Sequence, residues 1–330
     1  MSTARLRRHV PHAAHEALAI LDPARGAIEP PIRAEIFAAA RFRQHGRSLG
    51  ETHAARLRTS RSAFFPRMHD NIAVLREAHH YIGVQERSGR HVSPAGEWLL
   101  DNFHVVVSQI KEIHDGLPRR YFRDLPVLVD AHLAGLPRVY GVAWAYVAHT
   151  DSAFDETLLV DFLSAYQETR ELTLGELWAL PTALRVVLIE NLRRLSERVA
   201  ATKAARELAN LWCDRLEDRI DTNPDFMFDV ARTRGMTRPF ALQVYQRVHS
   251  DAAPRAVAYD DDALRSALAL ALPDPAAARV QQQTEESADN LSVSNAITSL
   301  RLLGDTQWRD LIGRTSALMQ AMRTSPTFCA

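Results

Sequence analysis

Apolar residues recur at intervals of three and four along nearly the whole chain, and no long stretch alternates with a period of two. This spacing places apolar side chains on one face of an α-helix, so the sequence predicts an all-α protein. The pattern contains about ten to twelve such helices. The segments between them are short, which favours antiparallel neighbours. We therefore expect an irregular antiparallel helical bundle or array.

Three helices have a start signal at a defined residue. Ser93 stands before Pro94, which suits an N-cap followed by the first helical position. Asp155 is the expected N-cap of a second helix, and Asp274 precedes Pro275 at the start of a third.

The longest predicted helix follows Thr173. Thr173 and Glu176 form a T-x-x-E capping box, in which each side chain bonds the backbone N–H of the other residue. The apolar period that follows predicts a helix as far as about Val199. Pro181 falls in its second turn, where we expect a bend or a short break.

The chain divides by pattern into two parts. The sequence of residues 1–60 predicts a mobile, basic N-terminal arm with one or two helices. The first of these helices is predicted to run from Pro30 to about Gly46. Residues 61–330 are predicted to form the helical domain, which allows a subdivision near residue 222.

Arginines outnumber acids between residues 41 and 67. A solvated helical arm is the favoured interpretation, and a lipid or nucleic-acid contact is the alternative.

Charge and cysteine content limit the partners and the compartment. The 330-residue chain has 40 Lys and Arg against 40 Asp and Glu, so it lacks the positive charge typical of nucleic-acid-binding proteins. Cys213 and Cys329 fit no zinc or redox spacing, which favours a reducing compartment. We expect a cytoplasmic protein with no nucleic-acid partner and no membrane span, so that any membrane association is made through a partner.

The motifs for cofactor and metal chemistry are missing. Glycine-rich phosphate loops and H-E-x-x-H are absent. Asp260–Asp262 contains the bare D-x-D pattern of a metal site, but it directly precedes an apolar helical run, which favours an N-cap and first-turn charge instead. We expect no cofactor, no metal and no catalytic residue. A helical glycosidase pairs carboxylates from different helices, which a sequence does not reveal. The candidates for such a pair are Glu97, Asp101, Asp151 and Glu176, although caps and first-turn charges also account for them.

Asn191 is a polar residue on the apolar face of the long helix. At 100° per residue it lies close to the stripe formed by Leu184, Leu188 and Leu195, so we expect it to be buried and hydrogen-bonded. Glu190 and Arg194 are predicted to project to the opposite side and to pair at i, i+4.

Arg185 lies on the flank of that apolar face, where an unpaired guanidinium would be costly. The helix after Ser93 has a narrow polar stripe, and we expect Asp101 or Glu97 from that stripe to pair with Arg185 as a structural tie. The candidate binding residues are Glu97, Asp101, His104, Arg138, Glu176, Arg185 and Asn191.

Four segments resemble a known family in order and spacing. They are SPAGEWLLDNFHVVVSQI (93–110), LPRVY (136–140), LTLGELWALPTALRVVLIENLRRL (172–195) and ADNLSVSNAITSLRLLGDTQWRDL (288–311). Together they resemble the N-terminal cytoplasmic helical region of bacterial cyclic β-1,2-glucan synthases, over roughly residues 64–320.

The resemblance implies a place in periplasmic glucan biosynthesis. Members of that family are long inner-membrane enzymes that polymerise glucose from UDP-glucose, and their transferase, membrane and phosphorylase-like domains lie further along the chain. No catalytic residue is carried over to this sequence. The expected role is a non-catalytic accessory or scaffolding domain that docks on the catalytic or membrane domains of a synthase, or on itself. The alternative is a helical glycan-active enzyme.

Overall fold

The structure, a computed structural model, describes residues 12–57, 64–116, 119–129, 133–217, 224–249, 262–316 and 319. Helix dominates these ranges, so the predicted all-α class is confirmed. The helices are α1 His12–Ile20, α2 Ala39–Thr52, α3 Phe64–Arg87, α4 Pro94–Gly116, α5 Arg119–Asp124, α6 Arg138–His149, α7 Glu156–Gln167, α8 Leu174–Glu217, α9 Pro224–Thr233, α10 Thr237–Val248, α11 Asp262–Ala271, α12 Pro275–Asp305 and α13 Trp308–Thr315, with a short 3-10 helix at Pro23–Arg25.

Two short strands accompany the helices. β1 (Ala55–Arg56) pairs antiparallel with β2 (Val127–Leu128), and Ala55 lies opposite Leu128. Helix α6, which follows β2 in the chain, packs beside this strand, and a Cβ added at Gly141 of α6 would lie 2.7 Å from the Leu128 side chain.

The chain forms two compact units that interleave along the sequence. Unit 1 comprises Met1–Pro30, Leu75–Leu100 and Arg194–Leu291, and unit 2 comprises Pro31–Val74, Asp101–Arg193 and Ser292–Ala330. Helices α3, α4, α8 and α12 contribute residues to both. These boundaries differ from the expected divisions near residues 60 and 222. The segment expected as an arm also supplies buried side chains, which include Leu21 in unit 1 and Ile32 and Phe42 in unit 2.

Helix α8 begins with the predicted capping box. The backbone N–H of Thr173 donates to Glu176 Oε2 over 2.9 Å, and the N–H of Glu176 donates to Thr173 Oγ1 over 3.2 Å. The helix passes through Pro181 without a break and runs to Glu217, well beyond the predicted end near Val199. A run of alanines at positions 200, 201, 204 and 205 explains the extension, because alanine has the highest helix propensity and these four residues are buried.

Three other predicted N-caps are confirmed, at Asp155, Asp274 and Ser93. Asp155 Oδ1 accepts from the N–H of Leu158 over 2.7 Å, and Asp274 Oδ1 accepts from two N–H groups of the first turn of α12. Ser93 Oγ accepts from the N–H of Gly96 over a longer 3.4 Å. The N-cap proposed at Asp260 and Asp261 lies outside the described residues. The first predicted helix was misplaced, since the chain is not helical between residues 31 and 38 and α2 begins at Ala39.

Helices α2 and α7 of unit 2 approach closely through two glycines. A Cβ added at Gly46 would lie 2.8 Å from the carbonyl oxygen of Phe162, and one at Gly50 would lie 2.6 Å from that of Tyr166. Next to this contact the rings of Phe42 and Phe162 stack with centroids 4.6 Å apart. The missing side chains therefore let the two backbones meet.

Arg41, Arg43 and Arg47 of the basic segment are paired with acids of the same unit. Arg43 contacts both Asp161 and Glu168 of the α7 region, and Arg47 forms an ion pair with Glu168. Arg41 pairs with Glu35 over 2.7 Å. Acids from elsewhere in unit 2 thus partner the positive charge that the sequence concentrates here.

We expect Gly50→Ala to destabilise the protein, because the new methyl group would overlap backbone atoms of Tyr166 that cannot move independently of α7. Overpacking of this kind costs about 1–3 kcal/mol. The measurement is the midpoint of urea unfolding. Gly175→Ala is the control, since the nearest atom to its Cβ is 3.6 Å away, and its effect should be neutral or stabilising by up to about 1 kcal/mol. Equal midpoints for Gly50→Ala and wild type would show that the helices do not meet at this glycine.

Candidate functional site

A left-handed turn joins α6 to α7 in unit 2. Asp151 and Ser152 have φ angles of 48° and 66°, in a left-handed backbone region that residues other than glycine rarely occupy. Both residues are buried, with 4% and 1% of their surface exposed. A left-handed conformation costs roughly 1–2 kcal/mol for a residue with a Cβ, so the surroundings must hold this turn in place.

One face of α12 supplies hydrogen bonds to the turn. Ser292, Asn295 and Ser299 recur at helical spacing and therefore point the same way. Ser292 Oγ donates to Asp151 Oδ1, and Asn295 Nδ2 donates to the carbonyl oxygen of Asp151 over 3.1 Å. Ser299 Oγ donates to the carbonyl oxygen of Ser152 over 2.6 Å. These polar residues bind the backbone and side chain of the turn where an apolar face could not.

Arg33 and Asn191 bind the turn from two other parts of the chain. Arg33 Nε lies 3.1 Å from Asp151 Oδ1, and Asn191 Nδ2 donates to Ser152 Oγ over 2.8 Å. Asn191 Oδ1 also accepts from the N–H of Ile32 over 2.6 Å, and its Nδ2 lies 3.3 Å from the Ile32 carbonyl oxygen. Asn191 is fully buried. The prediction of a buried, hydrogen-bonded Asn191 is confirmed.

Arg138 and Glu176 form a buried ion pair in the same unit. Arg138 Nε donates to Glu176 Oε1 over 2.7 Å, and its Nη2 binds the other carboxylate oxygen and the carbonyl oxygen of Glu171. Glu176 also accepts from the N–H of Thr173, so one carboxylate both caps α8 and binds the guanidinium. Removal of one partner from a buried pair typically costs about 3–5 kcal/mol. Both residues therefore have structural roles.

The side of α8 that carries Glu190 and Arg194 is buried. Glu190 is 1% exposed and binds Arg67 and the hydroxyl of Tyr140, while Arg194 is buried and contacts Glu29 and the carbonyl oxygen of Pro30. This part of α8 therefore has no solvent face. Every residue from 179 to 196 is buried, so polar residues on all sides of this stretch need partners.

Arg185 is buried as predicted, with 8% of its surface exposed, but the expected carboxylate does not bind it. Its Nε donates to Gln109 Oε1 over 2.7 Å, and its Nη2 donates to the carbonyl oxygen of Leu303 over 3.1 Å. Burial lowers the pKa of Arg185, and the charge of Glu112 acts in the opposite direction. Gln109 lies eight residues beyond Asp101, about 12 Å along α4, so the correct partner is more than two turns away.

The remaining predicted residues lie on the surface. Glu97, Asp101 and His104 are all exposed on α4, in contrast to the buried Arg138, Glu176, Arg185 and Asn191. The seven candidates therefore do not form one site. The buried ones are structural ties in unit 2, and the exposed ones are positions on a solvated helix.

Unit 1 contains a polar cavity of about 830 Å³ that sequence reasoning missed. Its lining comes from α8, α10, α12 and the start of α4. Cations and carboxylates alternate in the wall, in the pairs Lys203–Glu207, Arg198–Asp289 and Arg206–Glu286. Each of these residues has the spacing of an ordinary charged helix face in the sequence. Only the packing of several helices turns them into one concave surface.

Two further findings apply to the described part of the chain. It contains no group of three or more His, Cys, Asp or Glu side chains arranged to hold a metal ion. Among its helices, none has the length and apolarity that a bilayer crossing requires.

Comparison with known proteins supports the resemblance read from the four sequence segments. No protein-family model matches the chain. The chain is 32% identical over 307 residues, 91% of its length, to the cyclic beta-(1,2)-glucan synthase NdvB of Rhizobium meliloti strain 1021. It resembles one segment of a cyclic β-1,2-glucan synthase. The match spans 10% of the length of NdvB, so the likeness concerns a small part of that protein.

We expect Asn191→Ala to destabilise the protein by about 1–3 kcal/mol, because it leaves the buried N–H of Ile32 without its acceptor and Ser152 without a donor. The free energy of unfolding in urea measures the effect. Asn102→Ala is the matched control, since Asn102 binds the exposed Arg301, and its effect should stay within about 0.5 kcal/mol. If both variants unfold at the wild-type midpoint, Asn191 does not hold the turn.

Proposed function

We propose that this chain acts as a non-catalytic accessory or scaffolding domain in cyclic β-1,2-glucan synthesis. In this role it docks on the catalytic or membrane part of a synthase, or on a second copy of itself, at the cytoplasmic side of the inner membrane. The observation that carries the proposal is the similarity of 91% of the chain to a segment that makes up 10% of a synthase. A likeness of this extent favours a role for the chain in the same biosynthetic process as that synthase.

The use of the buried carboxylates supports a non-catalytic role. Glycosidases need two carboxylates that flank the scissile bond, at separations of about 5–10 Å. In unit 2 the carboxylates of Asp151, Glu176 and Glu190 are buried, and each contacts an arginine. Glu176 additionally caps a helix, and Glu190 accepts from a tyrosine hydroxyl. A substrate would have to displace these contacts to reach any of the three.

A glycan-active enzyme is the second candidate, and the polar cavity of unit 1 is the observation that favours it. Glu207, Glu286 and Asp289 line that cavity. Each of them forms an ion pair with a lysine or arginine of the wall. A general acid must transfer a proton to its substrate, and a carboxylate held by a cation is poorly suited to that step.

Complementation tests the accessory role. In cells whose synthase lacks the segment similar to this chain, we expect cyclic glucan to be missing and co-expression of the chain to restore it. Extracted cyclic β-1,2-glucan is the measurement, and co-purification of the tagged chain with the truncated synthase is the parallel readout of docking. The Gly50→Ala variant, if destabilised, controls for the need for a folded chain. Failure of both restoration and co-purification would reject the proposal.

A direct assay separates the two candidates. Purified chain supplied with UDP-glucose and either magnesium or manganese should release no more UDP than a heat-denatured sample, because the nucleotide-sugar and phosphate-loop motifs are absent from its sequence. The readout is coupled detection of UDP over time. Steady, enzyme-dependent turnover would favour the enzyme candidate over the accessory role.

A further inference from the structure

The cavity of unit 1 has the size of a ligand site. Its volume of about 830 Å³ falls within the range of about 300–1,000 Å³ that is common for small-molecule pockets. Helices α8, α10 and α12 supply most of its lining. Because the walls come from helices that also carry the buried core of unit 1, the cavity is a fixed part of this unit.

The charges of the wall favour a neutral ligand. Lys203 Nζ lies 2.7 Å from Glu207 Oε1, and Arg198 Nε lies 3.0 Å from Asp289 Oδ2. An anion that bound these cations would approach the neighbouring carboxylates, and repulsion between like charges in a partly desolvated site is costly. The paired wall therefore disfavours phosphate and nucleotide ligands.

Primary amides give the wall both donors and acceptors. An amide has two N–H donors and two acceptor positions, and a sugar hydroxyl likewise both donates and accepts. Gln243 Nε2 donates to Asn210 Oδ1 over 2.9 Å, which leaves the second N–H of Gln243 and its oxygen available. Five amide side chains line the cavity: Asn210, Gln243, Gln282, Gln283 and Asn290.

The apolar part of the wall is small. It consists of Pro94, Ala95 and Val199, and no Phe, Tyr or Trp is found among the described residues that line the cavity. A flat apolar ligand would therefore gain little from burial here. Each Lys and Arg of the wall pairs with a carboxylate, Arg90 with Glu207 over 3.5 Å. From the size, the paired charges and the amides, we infer that this cavity binds a neutral polyhydroxylated chain, specifically a glucan. The inference rests on the proposed function and adds a ligand site to it.

Binding by the full chain tests this inference. Isothermal titration calorimetry with a linear β-1,2-linked gluco-oligosaccharide should give measurable binding, whereas UDP and inorganic phosphate, the anionic probes, should give none. The double variant Gln243→Ala with Gln283→Ala should raise the Kd by roughly tenfold or more, because it removes two sets of hydrogen-bonding groups. Circular dichroism and the thermal midpoint establish that the variant is folded.

Gln281→Ala is the matched control. Gln281 lies on the same helix as Gln283, two positions away, and it donates to Glu285 instead of lining the cavity. Its Kd should stay within about twofold of wild type, since no group of the site is lost. The inference is overturned if the oligosaccharide does not bind, if the folded double variant binds as tightly as wild type, or if the anions bind in preference.

The glucan-binding experiment and the complementation experiment have outcomes that can be told apart. A chain that restores glucan synthesis in the truncated-synthase cells but binds no glucan refutes this inference and leaves the proposed function in place. A chain that binds glucan at this cavity but neither restores synthesis nor co-purifies with the truncated synthase supports the inference and refutes the accessory role.

Discussion

The buried left-handed turn at Asp151 and Ser152 is the constraint on which unit 2 depends. Neither residue is a glycine, so the conformation costs energy that the surroundings must offset. Because the turn is also buried, its polar backbone and side-chain groups need protein partners. The partners come from the segment before α2, from α8 and from α12, which are distant in sequence. Formation of the turn therefore fixes these elements together.

Helix α8 explains why so many charged residues are buried. It is 44 residues long, and its middle part is covered on every side. Arg185 binds a glutamine and a carbonyl oxygen, Glu190 binds an arginine and a tyrosine, and Asn191 binds the backbone at Ile32. Buried polar groups are stabilising only when they are satisfied, so these contacts specify how neighbouring segments are placed against the helix.

Many cations of the described residues pair with acids of their own unit. In unit 2, Arg43 and Arg47 of the basic segment face acids of the α7 region. In unit 1 the cations of the cavity wall face carboxylates of the same wall. Cations that are already paired with carboxylates attract a polyanion less than free cations would.

The sequence by itself determined the helical class, the caps at Thr173, Asp155 and Asp274, the burial of Asn191, and the likeness to a glucan synthase. These features depend on short-range spacing or on matched strings, so a single chain is enough to read them. Only the tertiary structure decided that Gln109 binds Arg185, that Glu190 is buried and that the cavity of unit 1 exists. Partner choice and concave surfaces depend on the three-dimensional packing of helices, and periodicity along one helix carries no information about its neighbours.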